Sequence, residues 1–306
     1  MMDDPAFKLS DSTIAIVGLG LMGGSLALAW QEKKVCAKII GIDRNEETRT
    51  QAMAHEIEPS NDLNAVSRAD LIILATPVRT IIQLIPQIGA LVHPNAIVMD
   101  LGSTKREIVS AMNSLPAHVQ AVGAHPMCGK EHAGFDAADA NLFRNATFVL
   151  TPLARTSPQT LALAQSLVEI VGARPLILDA ERHDKIVAEI SHLPYVIATA
   201  LMQTASEHAN ADDLTFTLAA SGFRDTSRLA ASDTAMTLDI LMTNRDNVAS
   251  AIRASARNLD TLADSIERGD ELMLQMILQN VAEKRRALFT GTMANQKSEI
   301  EHRKLS

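Results

Sequence analysis

The stretch that decides the fold is Ile14-Ala15-Ile16-Val17-Gly18-Leu19-Gly20-Leu21-Met22-Gly23-Gly24-Ser25, near the start of a chain of 306 residues. A short apolar run, typical of a buried parallel strand, leads into the pattern G-x-G-x-x-G and then into a helical pattern. In this context Gly18 permits a tight turn, Gly20 lets backbone amides approach a diphosphate, and Gly23 lets helix and strand pack closely. The stretch therefore predicts a dinucleotide-binding unit.

An acidic residue follows the next apolar run. Asp43 lies 25 residues after Gly18, where a carboxylate can accept hydrogen bonds from the adenine ribose and repel the 2′-phosphate of NADP. Its neighbour Arg44 could instead attract that phosphate, so we expect NAD as the cofactor, with NADP possible. The predicted cofactor-binding residues also include a turn after the third strand; together they are Gly18, Leu19, Gly20, Leu21, Met22, Gly23, Asp43, Arg44, Thr76 and Pro77.

The first half of the chain alternates β-branched runs with helical patterns, which is typical of a parallel sheet with crossover helices. Strands are predicted near residues 13–17, 38–43, 71–75, 96–100, 120–124, 147–151 and 174–178. Long helical stretches then follow near 181–209, 233–243, 245–268 and 270–290, broken by Pro194, Gly222 and Gly269. We expect an α/β fold with a doubly wound, Rossmann-type domain over residues 1–179 and an all-α domain over residues 180–306.

Two helix starts carry capping signals. Thr104 and Glu107 have the spacing of a capping box, which predicts a helix over residues 105–114. Ser157 followed by Pro158 predicts the cap of a second helix, which ends at Gly172.

Composition limits the classes of partner. The 28 Lys and Arg against 36 Asp and Glu give a net charge of −8, and only 3% of residues are aromatic, so nucleic acid is a poor candidate. Cys36 and Cys128 are too few for a disulfide framework, which favours the cytoplasm. The acidic start does not resemble an export signal, and we expect no apolar run of the ~18–20 residues that span a membrane.

Two polar residues are predicted at the carboxyl edge of the sheet, where open α/β sheets bind ligands. Ser103 follows the fourth long strand, and from its position alone a helix cap is as good an interpretation as a catalytic role. His125 ends the next strand, beside the predicted cofactor crevice. An isolated histidine is usually structural, but at this place it is a candidate general base because its ordinary pKa lies near neutrality.

Several motifs in order make the chain similar to the prephenate/arogenate dehydrogenase family of tyrosine biosynthesis. After the glycine fingerprint they are Gly102-Ser103-Thr104-Lys105, His125-Pro126-Met127-x-Gly129-x-Glu131-x-x-Gly134, Ser191-His192-Leu193-Pro194, and Gly222-Phe223-Arg224-Asp225-x-x-Arg228-x-Ala230-x-Ser232-Asp233. They span nearly the whole chain, and the histidine and arginine motifs are much more specific than the fingerprint.

The resemblance implies an enzyme that oxidises the C4 alcohol of a cyclohexadiene, passing hydride to nicotinamide while the C1 carboxylate leaves as CO2. It implies that His125 takes the hydroxyl proton and that Ser103 orients this histidine. It also implies that His192 and Arg228 bind the substrate, although from spacing alone a core histidine and a surface cation are favoured.

Other positions near the implied pocket leave the substrate open between prephenate and arogenate. Glu131 could define substrate access or cap a turn. Lys130 and Thr237 depart from the residues common in the family, and Lys130 could favour an extra carboxylate. No histidine has a ligand spacing that would predict a metal site.

Two other classes stay open. A β-hydroxyacid dehydrogenase or imine reductase also begins with Gly-Leu-Gly-x-Met-Gly, but relies on a lysine in its helical domain. A non-catalytic NAD-binding protein would lack the polar residues at the sheet edge. Apolar residues on more than one face of 186–202 and 271–289 predict a homodimer through the helical domain, against the alternative of a well-packed monomer.

Overall fold

The computed structural model describes residues 8–130 and 132–289. Its eight strands form one sheet in the order β3-β2-β1-β4-β5-β6-β7-β8. The strands are β1 Thr13–Val17, β2 Lys38–Ile42, β3 Glu58–Ser60, β4 Leu71–Leu74, β5 Ile97–Asp100, β6 Gln120–Pro126, β7 Thr147–Pro152 and β8 Arg174–Ile177. The seven predicted strands are confirmed, and the doubly wound order of β1 to β6 is the one expected for a dinucleotide-binding fold. The short edge strand β3, which contains Pro59, was not predicted.

The sheet is parallel from β1 to β6, but β7 runs antiparallel to β6 and β8 runs parallel to β7. The predicted parallel sheet is therefore confirmed from β1 to β6, and the reversal at β7 is an addition that the sequence analysis did not predict. A parallel partner for β6 would need a long crossover connection. Between β6 and β7 the described residues contain only a 3₁₀ turn, Phe135–Ala137, so the chain returns beside β6 in the opposite direction.

Successive side chains of the central strands point to opposite faces of the sheet and form two apolar layers, one on each face. In β1, Ile14 and Ile16 pack into one layer with Trp30, while Ala15 and Val17 pack into the other. Helices cover both faces, which explains why the strands are almost continuously apolar.

The eleven helices in the described residues are α1 Leu21–Glu32, α2 Glu46–Ala54, α3 Val78–Leu91, α4 Arg106–Met112, α5 Pro158–Ile170, α6 Ala180–Val187, α7 Leu193–Ala209, α8 Ser221–Ser227, α9 Thr234–Thr243, α10 Arg245–Glu267 and α11 Glu271–Phe289. The cap of α5 is confirmed, because the Ser157 side chain accepts a hydrogen bond from the Thr160 amide. Gly172 follows this helix with a φ of +78°, as its predicted end requires.

The predicted capping box at α4 is wrong. The Thr104 hydroxyl is hydrogen-bonded to the Thr243 hydroxyl at 2.8 Å and does not cap the helix. The first amides of α4 are instead bound by the carboxylate of Asp184, which accepts from Lys105 N at 2.7 Å and from Arg106 N at 2.9 Å. An ionised carboxylate is a stronger acceptor than a hydroxyl at a helix N-terminus, so the distant acid takes this place.

The predicted break at Pro194 is also wrong, because helix continues from Ala180 to Ala209. A π-helical turn, Ala188–His192, joins α6 to α7. A proline removes one backbone donor and crowds the carbonyl of the preceding turn, and a widened turn accommodates both effects. Gly222 lies inside α8, whereas Gly269 separates α10 from α11 as predicted.

By length and composition alone, the run from Ala180 to Ala209 could cross a membrane, which differs from the expectation that no stretch would qualify. A single helix of this kind is weak support for a membrane span, because packed helices of globular proteins pass the same test.

The chain forms two compact units, one up to Ala249 and one from Ser250 onward. The first unit contains the whole sheet and α1 to α9. The second contains most of α10 and all of α11. The predicted domain boundary between residues 179 and 180 coincides with the end of the strands within the described residues, and it stays a prediction.

Candidate active site

The glycine loop connects β1 to α1 at the carboxyl edge of the sheet. A Cβ atom on Gly18, whose φ is +94°, would lie 2.8 Å from Thr76 Cγ2, and one on Gly23 would lie 2.0 Å from the Gly18 carbonyl oxygen. Packing therefore requires both glycines. At Gly20 a Cβ would meet no described atom within 4 Å, so this glycine faces open space.

That open space lies at the N-terminus of α1. Gly20 is the N-cap residue and provides no side-chain hydrogen bond to the first amides of the helix. Unpaired amides and the helix dipole together favour an anion, and a diphosphate could approach the backbone closely here because Gly20 lacks a side chain. The loop thus fits the dinucleotide predicted from the fingerprint.

Asp43 follows β2 and lies against the glycine loop, since its carboxylate accepts hydrogen bonds from Leu19 N and Asn45 N, each at 2.9 Å. Arg44 is exposed. A residue that sequence reasoning missed, Arg49, donates to the backbone carbonyls of Asp43 and Arg44 at 2.9 Å and so fixes this turn.

The turn after β4 lies beside the same loop. The Thr76 methyl group approaches Gly18, and its buried hydroxyl has no partner among the described residues. Pro77 is the N-cap residue of α3. A buried hydroxyl without a partner is unusual in a folded protein, and here it lies at the strand switch point where dinucleotides bind.

A buried ion pair fixes the loop that carries Ser103. The Lys105 ammonium contacts the Asp100 carboxylate, both side chains are fully buried, and the ammonium also donates to the Ala124 carbonyl at 2.6 Å. Asp100 accepts further hydrogen bonds from Gly102 N at 2.7 Å and Ala124 N at 3.1 Å. The pair therefore ties the ends of β5 and β6 together, and its hydrogen bonds offset part of the cost of burying two charges.

His125 lies at the end of β6 and is 9% exposed. Its Nδ1 atom is 2.9 Å from Nε2 of His183, whose own Nδ1 atom is 2.8 Å from Oδ1 of Asp184. Burial holds the pKa of His125 well below its usual value, and the nearby His183, Lys105 and His192 lower this pKa further. The ring is therefore neutral at neutral pH and can accept a proton.

Ser103 is half-buried, and no hydrogen bond joins it to His125 in the described part of the chain. The hydrogen bond seen at His125 is with His183, so the orienting role implied for Ser103 stays a prediction. Ser103 is not the helix cap either, since the residue before α4 is Lys105.

His192 ends the π-helical turn and is 1% exposed. Its Nδ1 atom lies 3.2 Å from the side-chain nitrogen of Asn244, which also donates to the Asp184 carbonyl at 2.7 Å. Burial lowers the pKa of His192 to about 4. Its Nε2 atom is buried and has no partner among the described residues, so this nitrogen is available to a ligand.

The remaining predicted substrate residues are less closely connected. Arg228 is exposed and begins a 3₁₀ turn, Arg228–Ala231, that packs against α7. Lys130 pairs with Asp139 at 3.1 Å and lines a surface cavity of about 480 Å³ together with His55 and His132. Glu131 lies outside the described residues.

Cys128 is beside the histidine strand, but burial raises its pKa to about 11, so it is not an activated thiol. Among residues 8–130 and 132–289, no cluster of three or more His, Cys, Asp or Glu side chains could hold a metal ion.

Comparison with known proteins agrees with this geometry. The family model described as "Prephenate dehydrogenase, nucleotide-binding domain" matches residues 26–177, and that described as "Prephenate dehydrogenase, dimerization domain" matches residues 179–280. Prephenate dehydrogenase of Bacillus subtilis is 34% identical over 84% of this chain and 71% of its own length. Cyclohexadienyl dehydrogenase of Zymomonas mobilis is 34% identical over 76% of this chain and 80% of its own.

Solved structures give the same result. Prephenate dehydrogenase from A. aeolicus, in complex with hydroxyphenyl propionate and NAD+, has a TM-score of 0.85 at 31% identity, covering 92% of this chain and 100% of that one. Synechocystis arogenate dehydrogenase has a TM-score of 0.78 at 31% identity, covering 90% and 99%. A Mycobacterium tuberculosis 3-hydroxyisobutyrate dehydrogenase, at 17% identity and a TM-score of 0.53 over 78% and 87%, shares the fold alone. The chain belongs to the prephenate dehydrogenase family.

Proposed function

We propose that the protein catalyses the NAD-dependent oxidative decarboxylation of prephenate to 4-hydroxyphenylpyruvate, of arogenate to tyrosine, or of both. The observation that carries this proposal is His125, a neutral, nearly buried histidine at the end of β6, on the same carboxyl edge of the sheet as the glycine loop. The names of the relatives, which include prephenate, cyclohexadienyl and arogenate dehydrogenases, support the same chemistry.

The cofactor is NAD, held at the N-terminus of α1 and beside Asp43. When bound, its nicotinamide accepts the hydride that leaves C4 of the substrate. The open space at Gly20, the unpaired Thr76 hydroxyl and the solved complex of a relative with NAD+ support this assignment. Asp43 favours NAD over NADP, because its carboxylate would repel a phosphate on the ribose.

His125 accepts the proton of the C4 hydroxyl as the carbonyl forms. A neutral imidazole whose pKa is below neutrality is ready to accept a proton over the physiological pH range. Ser103, from the adjacent loop, is proposed to contact the same hydroxyl or the histidine. Loss of CO2 from C1 then produces an aromatic ring, which makes the reaction strongly favourable.

His192 binds a carboxylate of the substrate. Because Asn244 donates to Nδ1 of His192, the neutral ring carries its proton on Nε2, and this N–H is buried without a partner among residues 8–130 and 132–289. A carboxylate oxygen would satisfy it. Arg228 is proposed to supply the balancing cation, and Glu131 and Lys130 are proposed to bind the substrate as well. Lys130 contacts Asp139 at 3.1 Å, which compensates part of its charge.

The helical part, residues 180–306, is proposed to form a homodimer in the cytoplasm. The matching family model is described as a dimerization domain, and it begins at residue 179, close to the proposed boundary. Exposed apolar side chains along α11 support the same proposal.

The proposal is tested by mixing the purified protein with NAD+ and, separately, prephenate, arogenate and 3-hydroxyisobutyrate, and following the absorbance of NADH. We expect NADH and CO2 with one or both cyclohexadienes. NADH formation with 3-hydroxyisobutyrate alone would contradict the proposal and favour a hydroxyacid dehydrogenase.

A further inference from the structure

A chain of two hydrogen bonds runs from Asp184 through His183 to His125, over distances of 2.8 Å and 2.9 Å. We propose that His183, held by Asp184, is a positioning residue that keeps the proton of His125 on Nδ1 and leaves its Nε2 lone pair free for the substrate hydroxyl. The inference rests on the proposed function, because it assigns a second residue to the same proton transfer.

The Asp184 carboxylate determines which atoms donate in the two hydrogen bonds. Its two oxygens each accept from a backbone amide at the start of α4, Oδ1 from Lys105 N and Oδ2 from Arg106 N. An ionised carboxylate only accepts hydrogen bonds, so Nδ1 of His183 must donate to it. A ring that carries its single proton on Nδ1 has a lone pair on Nε2, and this atom can then only accept.

The same reasoning determines which nitrogen of His125 carries the proton. Since Nε2 of His183 accepts, Nδ1 of His125 donates, and the neutral His125 ring keeps its lone pair on Nε2. The opposite tautomer would point an N–H at the crevice, where it could not take a proton. The two rings meet edge to face, with an angle of 73° between their planes and 5.1 Å between their centroids.

The arrangement is rigid because every partner is fixed. His183 is 1% exposed and Asp184 is fully buried, and the carbonyl of Asp184 also accepts from the Asn244 side chain at 2.7 Å. When the substrate proton binds Nε2 of His125, the resulting imidazolium keeps its hydrogen bond to His183 and lies near the Asp184 carboxylate. The proton stays on His125, and His183 itself does not touch the substrate.

Substitution of His183 by glutamine or asparagine tests its two hydrogen bonds one at a time. In His183→Gln the side-chain carbonyl can reach the place of Nε2 and accept from His125, whereas the link to Asp184 is lost. In His183→Asn the shorter side chain can reach Asp184, whereas the link to His125 is lost. Both variants bury a neutral amide in place of the same ring, which makes them matched controls for packing.

We expect kcat of His183→Asn to fall by roughly 10²–10³, within the range of general-base catalysis, and kcat of His183→Gln to stay within about tenfold of the unmodified protein. The KM for substrate and the Kd for NAD+ should change little in either variant, because binding does not use this hydrogen bond. Equal kcat values in the two folded variants, or a change confined to KM, would overturn the proposal.

A measurement without turnover tests the tautomer directly. In the unmodified protein labelled with ¹⁵N-histidine, NMR should show His125 with a protonated Nδ1 and an unprotonated Nε2, assigned by the signals missing from His125→Asn. The opposite tautomer would overturn the inference even if the enzyme is active. The expected tautomer together with no turnover of either cyclohexadiene would support the inference about His125 and refute the proposed function.

Discussion

Asp43 shows how one carboxylate can both shape a loop and select a ligand. It accepts hydrogen bonds from the amides of Leu19 and Asn45, which holds the acid beside the glycine loop. In Asp43→Ser the repulsion of a ribose phosphate is removed while a hydroxyl acceptor remains. We expect the ratio of kcat/KM for NAD to that for NADP to fall by roughly tenfold or more, which corresponds to about 1.4 kcal/mol.

The control for this substitution is Asp62→Ser, an exposed acid at another turn of the same sheet, which should leave the ratio unchanged. If the unmodified protein already had a higher kcat/KM with NADP, Arg44 would be the dominant residue and the assignment of NAD would be wrong.

The proposed role of His125 predicts how activity depends on pH. His125→Asn keeps a hydrogen-bonding side chain but cannot take the hydroxyl proton, so kcat should fall by roughly 10²–10⁴ with little change in NAD+ binding. Only the neutral ring is active, and its pKa in the folded protein is lowered. Activity should therefore persist as pH falls through 6.5 and be lost only at lower pH, and the variant should lack this acidic limb.

Initial rates from pH 5 to 9 measure this profile. The exposed His118→Asn variant serves as the control and should reproduce the unmodified profile. A His125→Asn protein with nearly normal kcat would assign His125 a structural role.

The proposed role of Arg228 rests on the family resemblance. If Arg228 holds a substrate carboxylate, Arg228→Ala should cost about 2–5 kcal/mol of binding, a rise in KM of roughly thirtyfold or more. Arg228→Lys should recover only part of this, because an ammonium lacks the two-pronged geometry of the guanidinium. Steady-state kinetics measure both effects, and Arg224→Ala, whose side chain is 78% exposed, is the control. An unchanged KM in Arg228→Ala would exclude this residue from the site.

At the scale of elements, local signals were predictable and long-range ones were not. Ser157 caps α5 through an amide three residues away, so sequence spacing is sufficient to find it. The acceptor that caps α4, Asp184, is 78 and 79 residues from the amides it binds, and Thr104 pairs with a hydroxyl 139 residues away. Spacing cannot reveal such partners, because tertiary packing alone brings them together.

Prediction of the site from the sequence has the same limit. His125, His192 and the glycine loop could be proposed from the sequence because each lies in a motif, and their roles stay predictions. His183 and Asp184 were missed, although a histidine and an adjacent acid, nine and eight residues before His192, were a visible signal. The antiparallel direction of β7 was missed because its apolar pattern is the same for either direction.

The carboxylate of Asp184, which binds amides at the start of α4, allows a prediction about stability. In Asp184→Ala three donors lose their acceptor: the buried Lys105 amide, the part-buried Arg106 amide and Nδ1 of His183. Each unsatisfied buried group costs about 1–3 kcal/mol. We expect the free energy of unfolding to fall by about 3–5 kcal/mol. Asp62→Ala also removes a carboxylate cap, but at an exposed turn, and should cost about 0.5–1 kcal/mol. Urea unfolding followed by circular dichroism measures both, and equal losses would show that the buried cap adds no stability beyond an exposed one.

For the whole molecule, the most informative surface is the apolar one along α11. Its exposed large side chains include Leu272, Met276, Leu278, Val281 and Leu288, all of which are more than half exposed. Exposed apolar side chains in this number on one helix mark an interface, and two copies of one chain commonly meet through the same surface. Light scattering of the unmodified protein should therefore give about twice the chain mass of 33.0 kDa.

A pair of substitutions locates the interface. Val281 on α11 and Met53 on α2 are both 59% exposed, so a glutamate at either position should have a similar direct effect on folding. Val281→Glu would place a charge in the apolar contact between two copies, where its desolvation costs free energy without a partner, and should shift the protein toward the monomer. Met53→Glu should leave the mass unchanged. A dimer that persists in Val281→Glu would exclude α11 from the interface, and a monomeric unmodified protein would refute the homodimer altogether.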